Sequence, residues 1–142
     1  MSKARTSDCI LDKGLQVLVV DDSRTSCEIV VRILKNIGFN GVESCQNGAE
    51  ALVRLRTLKF GALVTDLEMS PMSGLDLISC VRSDPMLHQI PVILMTAKYD
   101  QLSNMVRHKI VSGADIHILK PFTPAALLEK LQTHFAIDNV LE

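Results

Sequence analysis

The sequence predicts an α/β fold, a five-stranded parallel sheet with helices packed on both faces. Three observations carry this. Short β-rich apolar runs alternate with longer segments of helical character, and each type occurs five times along 142 residues. Four of the runs are nearly unbroken apolar stretches, as a strand needs when helices cover both its faces. The length suits one domain with a real core, and repeated strand–helix units imply parallel pairing.

The first run is "QVLVV" (16–20). Behind it Ile29, Ile33 and Ile37, with Val30 and Leu34, recur at helical spacing and make one apolar face. "VESCQ" (42–46) is the second strand. Asn47 followed by Glu50 reads as a helix cap and its return partner before "ALVRL". "GALVT" (61–65) is the third strand, and Leu77, Ile78 and Val81 mark the third helix. "PVILM" (91–95) is the fourth strand, with Leu102, Met105, Val106 and Ile110 on the helix after it. "IHIL" (116–119) reads as a fifth strand buried on both faces. Thr123 as cap and Pro124 in the first turn open the last helix, carried by Leu127, Leu128, Leu131 and Phe135. The domain is expected over 15–136, with a mobile tail over 1–14 and a short tail over 137–142.

The hydrophobic share is 47% and the charged share 22%, values of a soluble globular protein. A formal net charge of -1 gives no reason to expect a nucleic-acid or anionic-membrane partner. No apolar run reaches membrane-spanning length, and the basic start "MSKARTSDCILDKG" has no apolar segment of a secretion signal behind it. Cys9, Cys27, Cys45 and Cys80 show no CxxC spacing and read as idle thiols in a reducing cytosol, so a cytoplasmic location is expected. His88, His108, His117 and His134 show no metal-ligand spacing.

In parallel sheets of this kind, ligands bind beyond the carboxyl ends of the strands. The residues found there are Asp21 and Asp22 after the first strand, Asp66 after the third, Thr96 after the fourth and Lys120 after the fifth. Each has an ordinary alternative. Asp21, Asp22 and Thr96 could cap helices, Asp66 could open a turn, and Lys120 could extend to water. Together they are harder to dismiss. Close carboxylates repel by roughly 4 kcal/mol per pair at an effective dielectric near 20. A single lysine cannot neutralise three of them. A hard divalent cation bound through oxygen, typically Mg2+, fits such a set.

Four stretches, "VLVVDDS", "LVTDLEMSPMSG", "LMTAKYD" and "GADIHILKPF", resemble the receiver domains of bacterial-type two-component response regulators, the stand-alone chemotaxis type in particular. The resemblance covers roughly 15 to 135 and implies a flavodoxin-like, doubly wound sheet of strand order 2-1-3-4-5 flanked by five helices. It implies that Asp66 takes a phosphoryl group from the phosphohistidine of a histidine kinase or a histidine phosphotransfer protein. Asp22 then holds Mg2+ directly, Asp21 through water, and Asp66 and the backbone carbonyl of Glu68 complete the protein ligands. Thr96 and Lys120 grip the phosphoryl oxygens, and the Lys120–Pro121 bond is cis. Such a domain catalyses only its own phosphorylation and dephosphorylation. It acts on a protein target through the face of the fourth helix, fifth strand and fifth helix.

Three positions depart from the family pattern. Ser70 followed by Pro71 replaces a proline at 70, Glu68 puts a carboxylate beside the acceptor, and His117 stands where an aromatic switch residue is usual. Opposite charges at Glu68 and Lys98 suggest an ion pair across the water entrance. Two rival classes remain. A haloacid dehalogenase-type phosphatase also uses an aspartate nucleophile, but needs an aspartate where Glu68 stands. A flavodoxin-like nucleotide binder would want a Gly/Ser/Thr-rich phosphate loop where "DDSRTS" is acidic.

Overall fold

The alternating runs settle into one sheet whose strands show a different side chain to each face. The structure, a computed structural model, describes residues 10–12, 14–100, 103–104 and 113–138. Its elements are β1 (Ile10–Asp12), β2 (Gln16–Val20), α1 (Arg24–Ile37), β3 (Gly41–Cys45), α2 (Gly48–Thr57), β4 (Ala62–Asp66), α3 (Gly74–Ser83), β5 (Val92–Thr96), β6 (Ile116–Leu119), α4 (Pro124–His134) and β7 (Ala136–Asp138). The main sheet is parallel in the order β3-β2-β4-β5-β6. Counting its own strands alone, that is the expected 2-1-3-4-5.

Two cores result from the pleat. Val17 and Val19 of β2 face one way and join Val30 and Leu34 of α1 and Leu127 and Leu131 of α4. Leu18 and Val20 face the other way and join Ala51 and Leu55 of α2 and Leu77, Ile78 and Val81 of α3. This two-sided burial is why β2, β4 and β5 read as continuous apolar runs. The edge strand β6 is different. Ile116 and Ile118 are buried while His117 and Leu119 are only partly so, which corrects the expectation of burial on both faces. An edge strand lacks a neighbour on one side, and its second face is only partly covered.

Caps match local chemistry. Ser23 caps α1 by accepting the Ser26 N–H, Asn47 caps α2, and Thr123 caps α4 with Pro124 in the first turn. Ser73 and Asp76 form a reciprocal capping box at α3. The buried stripe of α1 is Cys27, Val30 and Leu34, while Ile29 is 51% exposed.

Four helices lie among the described residues. Helical backbone is also present at 99–100 and 103–104. Of the residues expected to carry the fourth helix, Leu102, Met105, Val106 and Ile110 lie outside the described set. No described helix is long and apolar enough to cross a membrane. Beside the main sheet, β1 pairs in parallel with β7, Ile10 opposite Ala136 and Asp12 opposite Asp138. Residues 10–12 thus depart from the expected mobile tail, and 137–138 from the expected C-terminal one. A backbone that finds a partner for its N–H and C=O groups gains ladder bonds that no local signal in the sequence announces.

Candidate functional site

All strands of the main sheet run the same way, so their C-terminal ends share one edge, where Asp21, Asp22, Asp66 and Lys120 meet and Thr96 ends the neighbouring strand β5. Asp21, Asp66 and Thr96 are buried, at 1%, 4% and 2% exposure, whereas Asp22 is exposed. Carboxylate oxygens of Asp21, Asp22 and Asp66 lie within 4.8 Å of one another. The Lys120 ammonium turns inward rather than to water. It lies 3.0 Å from Asp21 Oδ2 and 3.1 Å from Asp66 Oδ1, and it donates to Ser26 Oγ at 2.9 Å. The Lys120–Pro121 bond is cis, and the Lys120 N–H donates to the Thr96 carbonyl at 2.7 Å, tying the ends of β5 and β6 together.

The acidic pair does not cap α1, because Ser23 holds that position. Asp21 is nonetheless fully engaged. Its Oδ1 accepts the Ser23 N–H at 3.0 Å, and its Oδ2 accepts the Ser26 hydroxyl at 2.6 Å as well as the lysine. Asp66 is less well served. Its Oδ1 is buried with the Lys120 contact at ion-pair distance but without a hydrogen-bond partner. Burial, followed by the neighbouring Asp21 charge, pushes its carboxyl up to about 6, and Lys120 opposes the shift. For Lys120, burial acts downward, but the hydrogen bond and charge of Asp21, with Asp66, outweigh it and the net direction is up.

The loop after Asp66 folds back over it. Gly74 donates its N–H to the Leu67 carbonyl at 2.9 Å, and a side chain at Gly74 would collide with the Asp66 carbonyl oxygen and Leu67 Cα. The Ser70–Pro71 bond in this loop is cis. Thr96 Oγ1 accepts the Lys98 N–H at 3.0 Å and donates to Glu68 Oε2 at 2.6 Å. The expected Glu68–Lys98 ion pair is therefore not formed among the described residues. The buried hydroxyl supplies a short, charge-assisted bond to the same carboxylate.

Ser26 is the site member that the sequence did not point to, whereas the Glu68 side chain was expected beside the acceptor but with Lys98, not Thr96, as its partner. Ser26 carried one available signal, its place in the first turn after "DDSR". His117 lies half-buried on β6, and its imidazole is lowered by burial and then by the charges of Lys130 and His134. Cys27 and Cys45 are buried free thiols pushed up by burial, Cys45 to about 11, which suits inert packing. Cys9 lies outside the described residues.

A family model described as "Response regulator receiver domain" matches residues 17–132. A chemotaxis protein of Vibrio cholerae serotype O1, CheY-3, is 37% identical over 130 residues, covering 90% of this chain and 97% of its own length. The chemotaxis protein CheY of Pseudomonas aeruginosa is 35% identical over 127 residues, covering 88% and 99%. Among solved structures, the chemotaxis response regulator CheY4 of Vibrio cholerae superposes with a TM-score of 0.73 at 28% identity, covering 86% of this chain and 99% of that one.

Proposed function

This chain belongs to the response regulator receiver domain family, and we propose that Asp66 is the aspartate that carries its phosphoryl group. The chain is a CheY-like receiver, a signalling switch worked by aspartate phosphorylation rather than a classical enzyme. The haloacid dehalogenase alternative finds no support in these relatives. The observation that carries the assignment is the buried Asp66 oxygen that faces Lys120 yet has no hydrogen-bond partner.

In the proposed step an Asp66 oxygen attacks the phosphorus of a phosphohistidine. The O–P bond forms as the P–N bond breaks, and the electron pair leaves on the imidazole nitrogen, which then takes a proton. The Lys120 ammonium meets charge gathering on the phosphoryl oxygens, and Thr96 is the nearby hydroxyl donor. Receivers of this family bind Mg2+ at an acidic pocket, and the Asp21, Asp22 and Asp66 oxygens fit that ion. Bound there, Mg2+ supplies further positive charge to the phosphoryl oxygens. Asp22, Asp66 and the Glu68 backbone carbonyl would hold it directly. Asp21, its oxygens already engaged by Ser23, Ser26 and Lys120, suits a role through water.

The family implies a histidine kinase partner and a downstream protein target. We assign target recognition to the face of β6, α4 and the segment between β5 and β6, by analogy with the family. The chemotaxis relatives favour a motility target. The receiver domain itself is taken as 15–136, with the β1–β7 pair at its margin, and the work is cytoplasmic on this reading.

The test is direct. Acetyl phosphate with Mg2+ should add one phosphoryl group, read by intact mass, and peptide mapping should put it on Asp66. Asp66→Asn should stay unmodified, since an amide is a poor nucleophile. Full modification of that variant would move the acceptor elsewhere.

A further inference from the structure

We propose that the Glu68 side chain is a built-in competitor of the phosphoryl group for the Thr96 hydroxyl. The inference rests on the reading of Asp66 as the phosphorylated residue. A threonine hydroxyl has one proton to donate. In this structure that proton goes to Glu68 Oε2, across 2.6 Å, from a hydroxyl on a residue only 2% exposed. The remaining contact of Thr96 Oγ1, from the Lys98 N–H, uses it as an acceptor. The Thr96 proton is therefore already committed to Glu68 before any phosphoryl group arrives.

A phosphoryl oxygen on Asp66 gains the Thr96 donor only when the bond to Glu68 breaks. The exchange swaps one charge-assisted hydrogen bond for another, so its net gain is much smaller than a first bond would give. Glu68 is thus a positioning residue. It fixes the Thr96 hydroxyl on its own carboxylate and so weakens the grip on the phosphoryl group. A neutral residue at this position would leave the hydroxyl proton free for the phosphoryl oxygens.

The experiment is a double-mutant cycle read by affinity for beryllofluoride, a phosphoryl mimic, at saturating Mg2+. The proteins are wild type, Glu68→Ala, Thr96→Ala and the double variant, each checked for folding by its melting curve and for its Mg2+ affinity alone. Glu68→Ala should bind beryllofluoride roughly tenfold more tightly, the scale of one charge-assisted hydrogen bond. Glu68→Gln, which can still accept from Thr96 but without charge, should lie between. The gain should vanish in the Thr96→Ala background, because the two residues act through one proton. A gain of equal size with and without Thr96 would mean plain charge repulsion and would overturn the proposal. No gain in Glu68→Ala would overturn it as well, with the Asp66 assignment intact. Failure of wild type to bind beryllofluoride and to accept phosphate would remove that assignment, and the competitor role with it.

Discussion

Lys120 is one cation set between two buried carboxylates, and at the residue scale the site is governed by that imbalance. Asp21 takes the better share, with the lysine, a serine hydroxyl and a backbone N–H, while Asp66 keeps a buried oxygen without a hydrogen bond. Burial, and then the charge of Asp21 beside it, raises its carboxyl from 3.8 to about 6. A raised carboxyl means that the folded state holds the proton more tightly than the unfolded one. Above about pH 6 both states are ionised and the folded state bears the full cost of the charge. As pH falls from about 6 to about 4 the folded carboxyl protonates first and that cost is relieved. In chelator, Asp66→Asn should therefore be more stable than wild type near neutral pH, by at most roughly 3 kcal/mol. The gap should close toward about pH 4. Melting temperatures of the two proteins across that range check this, and a gap independent of pH would assign the strain to something other than the Asp66 charge.

At the scale of elements, the end of the sheet opposite the site is held by one arginine. Arg82 of α3 donates to the carbonyls of Gly113, His88 and Ile90 at 2.9, 2.9 and 2.7 Å. It also lies 3.3 Å from Asp115, whose side chain is only 3% exposed. Asp115 accepts the Val92 N–H at 2.8 Å, so α3, the start of β5 and the approach to β6 share one network. Arg82→Ala takes the guanidinium from a buried carboxylate and leaves three carbonyls short of a donor. The expected loss is roughly 3–5 kcal/mol in urea unfolding. Arg82→Lys should restore little, because a point charge cannot reach a fork of acceptors. Phosphoryl acceptance below the melting point should survive, since the network lies away from Asp66. A loss under about 1 kcal/mol would show that the network contributes little to the fold, on the scale of an exposed pair.

At the scale of the molecule, the parallel sheet gathers residues far apart in the chain, such as Asp21 and Lys120, onto one edge. The three clustered carboxylates load the fold with like charge, and a cation bound only by the folded state should stabilise it. Saturating Mg2+ should raise the melting temperature of wild type, equivalent to about 2.7 kcal/mol at roughly a hundred times Kd. Asp22→Ala should largely remove the rise, because Asp22 is the exposed member of the cluster. An unchanged shift in that variant would take Asp22 out of the metal site.

Residue order was enough to set the strands and the side chain waiting at the end of each. Local period and burial write those signals into neighbouring residues, as "QVLVV" before Asp21 and "IHIL" before Lys120 show. Parallel pairing then carries the ends to one edge almost without further choice. Which donor each acceptor meets was settled only by folding in three dimensions. Glu68 took the Thr96 hydroxyl, 28 residues away, instead of the Lys98 side chain that charge pairing suggested. Ser26 joined Asp21 and Lys120, and Ile10–Asp12 found Ala136–Asp138 across nearly the whole chain. Such pairings depend on the course of loops and on rotamers within a packed interior, where one hydroxyl proton or one ammonium is contested by several acceptors. Residue types and spacing name the competitors, but distance and burial in the folded chain choose between them.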